Sequence, residues 1–134
     1  MSTKITVIIP AINEAGAIGR VLDEIPKSVS EVIVVDNGSS DNTVAVAKKH
    51  GALVLNEARR GYGYACMHAL AFIQSRAQKH PEQTPEIIVF LDGDYSDYPE
   101  YLDALVAPIA EKNMDLVIGA RHPKLMEAGA MTPP

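Results

Sequence analysis

Apolar and polar positions follow two rhythms along the chain. Short apolar, β-branched-rich runs occur at 5–9 (I-T-V-I-I), 32–35 (V-I-V-V), 52–55 (A-L-V-L), 87–91 (I-I-V-F-L) and 116–119 (L-V-I-G). Near-continuous runs of this length suit strands of a parallel sheet covered on both faces. Between them, apolar residues recur at helical spacing. Ile18, Val21, Leu22 and Ile25 mark a helix from about Glu14 that Pro26 stops, with Asn13 placed as its N-cap. Asp41 is the N-cap expected for a second helix, which closes at Gly51. Ala65, Ala69, Phe72 and Ile73 form the stripe of a long third helix reaching about Lys79. Leu102, Leu105, Val106 and Ile109 mark a fourth; Pro99 suits its first position and Pro108 predicts a kink or an early stop. Strands alternating with helices predict an α/β fold, a mostly parallel sheet with helices on both faces. Residues 1–121 read as one domain. Residues 122–134 have no period and end on two prolines, so they read as an irregular tail whose packing partner lies elsewhere.

Composition narrows the function classes without choosing one. At 134 residues the chain can bury a sizeable core unaided. A net charge of −5 argues against a general nucleic-acid surface, which needs a basic stripe. A single cysteine, Cys66, excludes a disulfide framework and a cysteine-built zinc site. The run at 5–9 is too short for a signal-peptide core, and no stretch approaches the roughly 20 apolar residues of a membrane span. The expectation is a cytoplasmic chain, with peripheral attachment at the cytoplasmic membrane face left open.

The chemistry gathers at the ends of the strands. The fourth run leads straight into Asp92-Gly93-Asp94. Residues two apart in an extended segment point to the same side, so both carboxylates can face one ligand. Two anions held so close repel unless a cation lies between them, and a hard divalent ion, Mg2+ or Mn2+, shared with phosphate oxygens answers that. The competing reading is a solvated strand-to-helix turn with capping acids. The other loops tip the balance: Pro10, Asn13 and Glu14 follow the first strand, and Asp36, Gly38, Ser39 and Asp41 the second. Glu57, Arg59, Arg60 and Gly61 follow the third, and Arg121 the fifth. In an open parallel sheet all these ends lie along one rim, where ligands bind. Carboxylates for a metal, arginines for phosphate and short polar side chains for base and ribose match a nucleoside diphosphate with its cation. Other nucleotide sites are excluded: the first loop lacks G-x-G-x-x-G, and no G-x-x-x-x-G-K-[ST] occurs. Ser39 and Ser40 stand in no G-x-S-x-G elbow, and the four histidines share no metal-ligand spacing.

Five segments, V-I-I-P-A-I-N-E, V-I-V-V-D-N-G-S-S-D-N-T, R-R-G-Y-G-Y-A, V-F-L-D-G-D-Y-S-D-Y-P and D-L-V-I-G-A-R, occur in that order from about residue 5 to residue 121. Together they resemble the inverting glycosyltransferase family 2, and within it the dolichyl-phosphate or polyprenyl-phosphate sugar synthases. The resemblance implies the Rossmann-like GT-A nucleotide-diphospho-sugar transferase fold and a UDP- or GDP-linked hexose donor. It implies that Pro10, Asn13 and Glu14 line the nucleoside pocket, with Gly38, Ser39 and Asp41 in the adjoining loop, and that Asp36 contacts the base. Arg60 and Gly61 would lie near the diphosphate. Asp92 and Asp94 match the family's D-x-D, with Asp94 the direct metal ligand and Asp92 shared between metal and ribose or sugar. Arg121 would face donor or acceptor, for which that branch implies a lipid phosphate. Members of the family continue well past this length with acceptor-binding elements. The expectation is therefore a truncated acceptor region and an uncovered apolar surface that favours homo-oligomers.

Two rivals follow from the same residues. An aspartyl-nucleophile phosphatase also uses D-x-D and Mg2+, but its motif follows a first strand and carries a Gly-Thr or similar pair, where this chain has Tyr95 and Ser96 after a fourth. A nucleotide-sugar-binding domain without turnover is the second.

Overall fold

Four strands, β1 (Ile5–Ala11), β2 (Glu31–Asp36), β3 (Leu53–Asn56) and β4 (Ile87–Phe90), alternate with four α-helices in the computed structural model, which describes residues 3–95 and 99–112. The helices are α1 (Ile18–Glu24), α2 (Thr43–Lys49), α3 (Tyr62–Lys79) and α4 (Leu102–Lys112), with 3₁₀ turns at Pro81–Gln83 and Pro99–Tyr101. The fifth strand expected at 116–119, Arg121 and the tail lie outside the described residues.

All described pairings are parallel, in the order β3-β2-β1-β4. The chain steps from β1 to β2 to β3 over one face, then leaps back across β2 and β1 to β4. Right-handed crossovers require that leap to pass over the opposite face. The core divides accordingly. On one face Ile5, Val7, Ile9 and Ala11 of β1 pack with Ile18 and Val21 of α1, Ala47 of α2, and Leu102 and Val106 of α4. On the other, Ile8, Ile33 and Val35 pack against Ala65, Ala69 and Ile73 of α3. The central strands are therefore apolar at nearly every position, with Val7, Ile8, Ile9, Ile33, Val34 and Val35 fully buried. The outer described strands are not: Leu53 and Phe90 are 38% and 44% exposed.

Where strand and helix limits differ from the sequence pattern, hydrogen bonds explain the shift. β3 begins at Leu53 because the N–H groups of Gly51 and Ala52 are spent closing α2, on Lys48 O and Ala47 O (both 3.1 Å), around a Gly51 φ of 92°. β1 runs through Pro10 to Ala11. The Ile5 and Ala11 carbonyls accept from Ser30 and Asn37 on the β2 side, whereas the Ile8 carbonyl accepts from Leu91 on the β4 side. This alternation turns the Pro10 nitrogen toward the β4 side, past the last β4 residue, where no ladder bond is lost. The first helix starts at Ile18, not near Glu14, because the Ala17 and Ile18 N–H groups both fold back onto Glu14 O in a preceding turn. α4 continues past Pro108, which ends no helix here. Among the described residues no helix is long and apolar enough to cross a membrane.

Candidate functional site

The sheet's reversal of direction lies between β1 and β4, and the crevice beyond their C-terminal ends is where an open α/β sheet binds ligands. A cleft of about 280 Å³ opens there, lined by Pro10, Ala11, Ile12, Glu14, Asn37, Tyr62, Asp92, Gly93 and Asp94. It brings residues from the ends of β1, β2 and β4 together with the first residue of α3.

The loops after β1 and β2 form one wall through reciprocal hydrogen bonds. Asn13 adopts φ 54°, a left-handed conformation asparagine tolerates. Its N–H donates to Ser39 Oγ (2.9 Å), and its Oδ1 accepts from the Ser40 N–H (2.8 Å). Asn13 therefore joins two loops and is not the N-cap that its position in the sequence suggests; α1 has no side-chain cap. The Glu14 N–H donates to Thr43 Oγ1 (2.8 Å) and the Ala15 N–H to Asp41 Oδ2 (3.2 Å). Asp41 Oδ1 accepts from both the Thr43 hydroxyl and its N–H, so Asp41 ties the first residue of α2 to the neighbouring loop, but the N-cap position of α2 is Asn42 and not the Asp41 that the sequence suggests. The Thr43 hydroxyl, with the backbone donors, holds the Asp41 carboxyl below the usual carboxylate range.

At the end of β2, Asp36 is 6% exposed. Its Oδ2 accepts from the Ser39 N–H (3.2 Å), while its buried Oδ1 has no hydrogen-bond partner among the described residues. A buried carboxylate oxygen left so is costly, and a donor from a ligand would satisfy it. Asn37, next in sequence and also buried, ties this wall to the loop after β3 through bonds to Glu57, Arg59 and Gly61.

The two adjacent arginines have different fates. Arg59 lies on buried Glu57, with Nη2 to Oε1 at 2.7 Å, and over the Tyr64 ring at 4.6 Å. The Arg59 hydrogen bonds hold the Glu57 carboxyl below its ordinary range. Arg60 is exposed and makes no ion pair among the described residues; its Nε lies 3.9 Å from the site of a Cβ on Gly38. Arg60 and Gly61 do not line the acidic cleft. They line a separate hollow of about 370 Å³ with Gly63, Tyr64 and Met67, residues that flank the cleft-lining Tyr62 in sequence.

The acidic pair stands as the spacing predicts. Leu91 and Gly93 turn inward, and Asp92 and Asp94 are exposed and line the same cleft. Gly93 is closely packed: a Cβ there would lie 3.3 Å from Ile9 Cγ2 and 3.4 Å from Ile18 Cδ1, so these side chains would have to give by a few tenths of an ångström. Half-buried Glu14 feels both aspartates. Burial first, then the charges of Asp94, Asp41 and Asp92, raise its carboxyl above the ordinary 4.5. Among the described residues no three acidic, histidine or cysteine side chains form a complete metal cage. Two carboxylates in a cleft of excess negative charge fit a divalent cation that takes its remaining oxygens from phosphate and water.

Asp36, Gly38, Ser39 and Asp41 belong to the wall, then, and Pro10, Glu14, Asp92 and Asp94 to the cleft itself. Arg121 lies outside the described residues. Sequence reasoning missed Asn37, Tyr62 and Thr43. Only the position of Asn37 beside Asp36, in a polar turn directly after a buried strand, signals the first.

Comparison with known proteins gives a consistent result. The family model described as "Glycosyl transferase family 2" matches residues 6–134. An uncharacterized glycosyltransferase of Mycobacterium tuberculosis is 39% identical over 119 residues, covering 89% of this chain and 49% of that protein. The dodecaprenyl-phosphate galacturonate synthase of Rhizobium johnstonii is 24% identical over 131 residues, 90% of this chain and 36% of that one. Among solved structures, the glucosyl-3-phosphoglycerate synthase of M. tuberculosis, in complex with Mn2+, UDP and glucosyl-3-phosphoglycerate, superposes with a TM-score of 0.66. It is 31% identical over 81% of this chain and 40% of its own. This chain thus spans about half the length, or less, of the relatives it matches.

Proposed function

The chain belongs to glycosyl transferase family 2, and from that premise we propose that its cleft binds a nucleoside-diphosphate hexose and transfers the sugar, with inversion, to a phosphate-bearing acceptor. One observation carries this reading: Asp92 and Asp94 share a single cleft with Pro10 and Glu14 at the sheet's switch point. The aspartyl-nucleophile phosphatase reading is set aside with the family match.

Each wall has a part. Asp36 Oδ1, buried without a partner, accepts an N–H from the base; uracil and guanine both offer one, and the UDP in the solved relative favours uracil. The bonds joining Asn13, Ser39, Ser40, Asp41 and Thr43 hold that pocket before ligand arrives, which limits the ordering cost of binding. Arg60 faces the diphosphate, and Arg121 keeps, as part of the same proposal, the role at donor or acceptor that the resemblance implies. Asp92 and Asp94 would hold Mg2+ or Mn2+, with Asp92 also toward ribose or sugar. When bound, that cation supplies positive charge against the diphosphate leaving group. The acceptor oxygen attacks the anomeric carbon from the face opposite the diphosphate, the new C–O bond forms as the old one breaks, and the electron pair leaves on the nucleoside diphosphate. A lipid phosphate is already anionic and needs no base, consistent with the dodecaprenyl-phosphate named in the Rhizobium relative. A hydroxyl acceptor requires a carboxylate to take its proton.

Calorimetry with UDP- and GDP-sugars, with and without Mn2+, tests the donor claim. The expected result is metal-assisted binding that Asp94→Ala removes; metal-independent binding indifferent to that substitution overturns it. A second reading is donor binding without turnover. Hexose transfer to a polyprenyl phosphate by this chain separates the two.

A further inference from the structure

Asn37 grips both peptide bonds of Arg60. Its Nδ2 donates to the Arg59 carbonyl (2.8 Å), which belongs to the peptide unit entering Arg60, and to the Glu57 carbonyl (2.9 Å). Its Oδ1 accepts from the Gly61 N–H (2.9 Å), in the peptide unit leaving Arg60. The Asn37 backbone N–H is anchored on the Ala11 carbonyl of β1 (2.9 Å), and its residue is 8% exposed. A primary amide has two N–H donors, and both are spent on this loop. Although Asn37 lines the acidic cleft, it has no N–H left to offer a ligand there.

We infer that Asn37 is the positioning residue that fixes where Arg60 presents its charge, acting through the backbone of the loop after β3. The contrast with Arg59 supports this. The side chain of Arg59 is held by Glu57 and Tyr64, whereas the Arg60 side chain has no ion pair among the described residues to hold it, which leaves the backbone gripped by Asn37 to set where it starts. An aspartate at position 37 would have nearly the same shape but no donors, and would set a carboxylate against two carbonyl oxygens. Asparagine at this position is thus a requirement of the loop behind the site, and its effect on the donor runs through Arg60. The inference rests on the reading of Arg60 as the diphosphate-side cation.

Two readouts on the full chain test it: amide hydrogen exchange at Gly61, and the affinity for UDP in the presence of Mg2+. In Asn37→Ala, which removes both Nδ2 donors and the oxygen that accepts from Gly61, the Gly61 amide is expected to exchange at least about tenfold faster, as one lost hydrogen bond implies, while amides of β1 and β2 keep their rates. UDP affinity is expected to fall by about tenfold or more, the size of a lost charge-assisted contact. The double variant Asn37→Ala with Arg60→Ala is expected to bind no more weakly than Arg60→Ala alone. Unchanged Gly61 exchange, or losses that multiply in the double variant, overturn the inference. If Asn37→Ala does not fold, Asn37→Ser, smaller and keeping one hydroxyl donor, is read in the same way. Failure of the parent protein to bind UDP counts against the proposed donor; Gly61 exchange then decides the positioning role alone.

Discussion

At the N-terminal rim of the sheet Arg76 closes on Glu31 with two hydrogen bonds, of 2.7 and 2.6 Å, and the Lys4 ammonium donates to the Glu82 carbonyl. At the C-terminal rim Glu14, Asp92 and Asp94 share a cleft with one another's charges, and Arg60 stands nearby without an ion pair among the described residues. Strand polarity and sequence separate the two rims, since the same sheet builds both. At the first rim opposite charges meet in an ion pair, although the buried Arg76 Nε has no hydrogen-bond partner among the described residues. Where like charges are instead brought together and a buried Asp36 oxygen has no partner among the described residues, the proposed function supplies that partner as a ligand.

Substitutions at each rim test that contrast, beginning with the largest effect. Asp94→Ala is expected to weaken Mn2+-assisted binding of a UDP-sugar by about a hundredfold, the scale of losing a principal electrostatic contact, with little change in melting temperature. A large stability loss with intact binding would make the C-terminal rim as structural as the other. Arg76→Ala should do the reverse. It strands the partly buried Glu31 carboxylate and costs about 2 kcal/mol by denaturant titration, with UDP affinity unchanged. Gly93→Ala joins both effects because its Cβ would press on Ile9 and Ile18. A destabilisation of about 1–2 kcal/mol and weaker metal-assisted binding are expected together, and a variant that melts and binds as the parent does would contradict the close packing. Smallest is Glu14→Gln. Because the folded-state carboxyl is raised above 4.5, Glu14 favours the fold while protonated and loses that contribution as pH rises through its shifted value. Without ligand, Glu14→Gln should therefore melt slightly above the parent at neutral pH, the gap closing below pH 4.5. A gap that widens on acidification would give Glu14 the opposite surroundings.

The strands and helices were legible because two-sided burial leaves long apolar runs, as in β1 and β2, and because each loop carries its own stop signals. The rim was legible from polarity alone: once the sheet is parallel, Glu14, Asp36, Asp92 and Asp94 must share an edge. Less was visible where a residue's partner is distant in sequence. Asn13 has the credentials of an N-cap, yet its oxygen is claimed by Ser40, 27 residues on. Arg59 and Arg60 are equivalent in the sequence, and only the fold gives one of them to Glu57. Asn37 was overlooked for the same reason, its three bonds reaching 20 to 24 residues ahead. The one-residue shift of β3 arises from competition for the Ala52 N–H, which no apolar pattern records.

Amide chemical shifts, followed while UDP and Mg2+ are added to the full chain, test the central claim most directly. The account predicts changes concentrated at residues 10–15, 36–41, 59–62 and 92–95, with the amides of Glu31 and Arg76 undisturbed. Changes centred on the Glu31–Arg76 rim, or none at Asp36 and Asp94 at saturation, would contradict it.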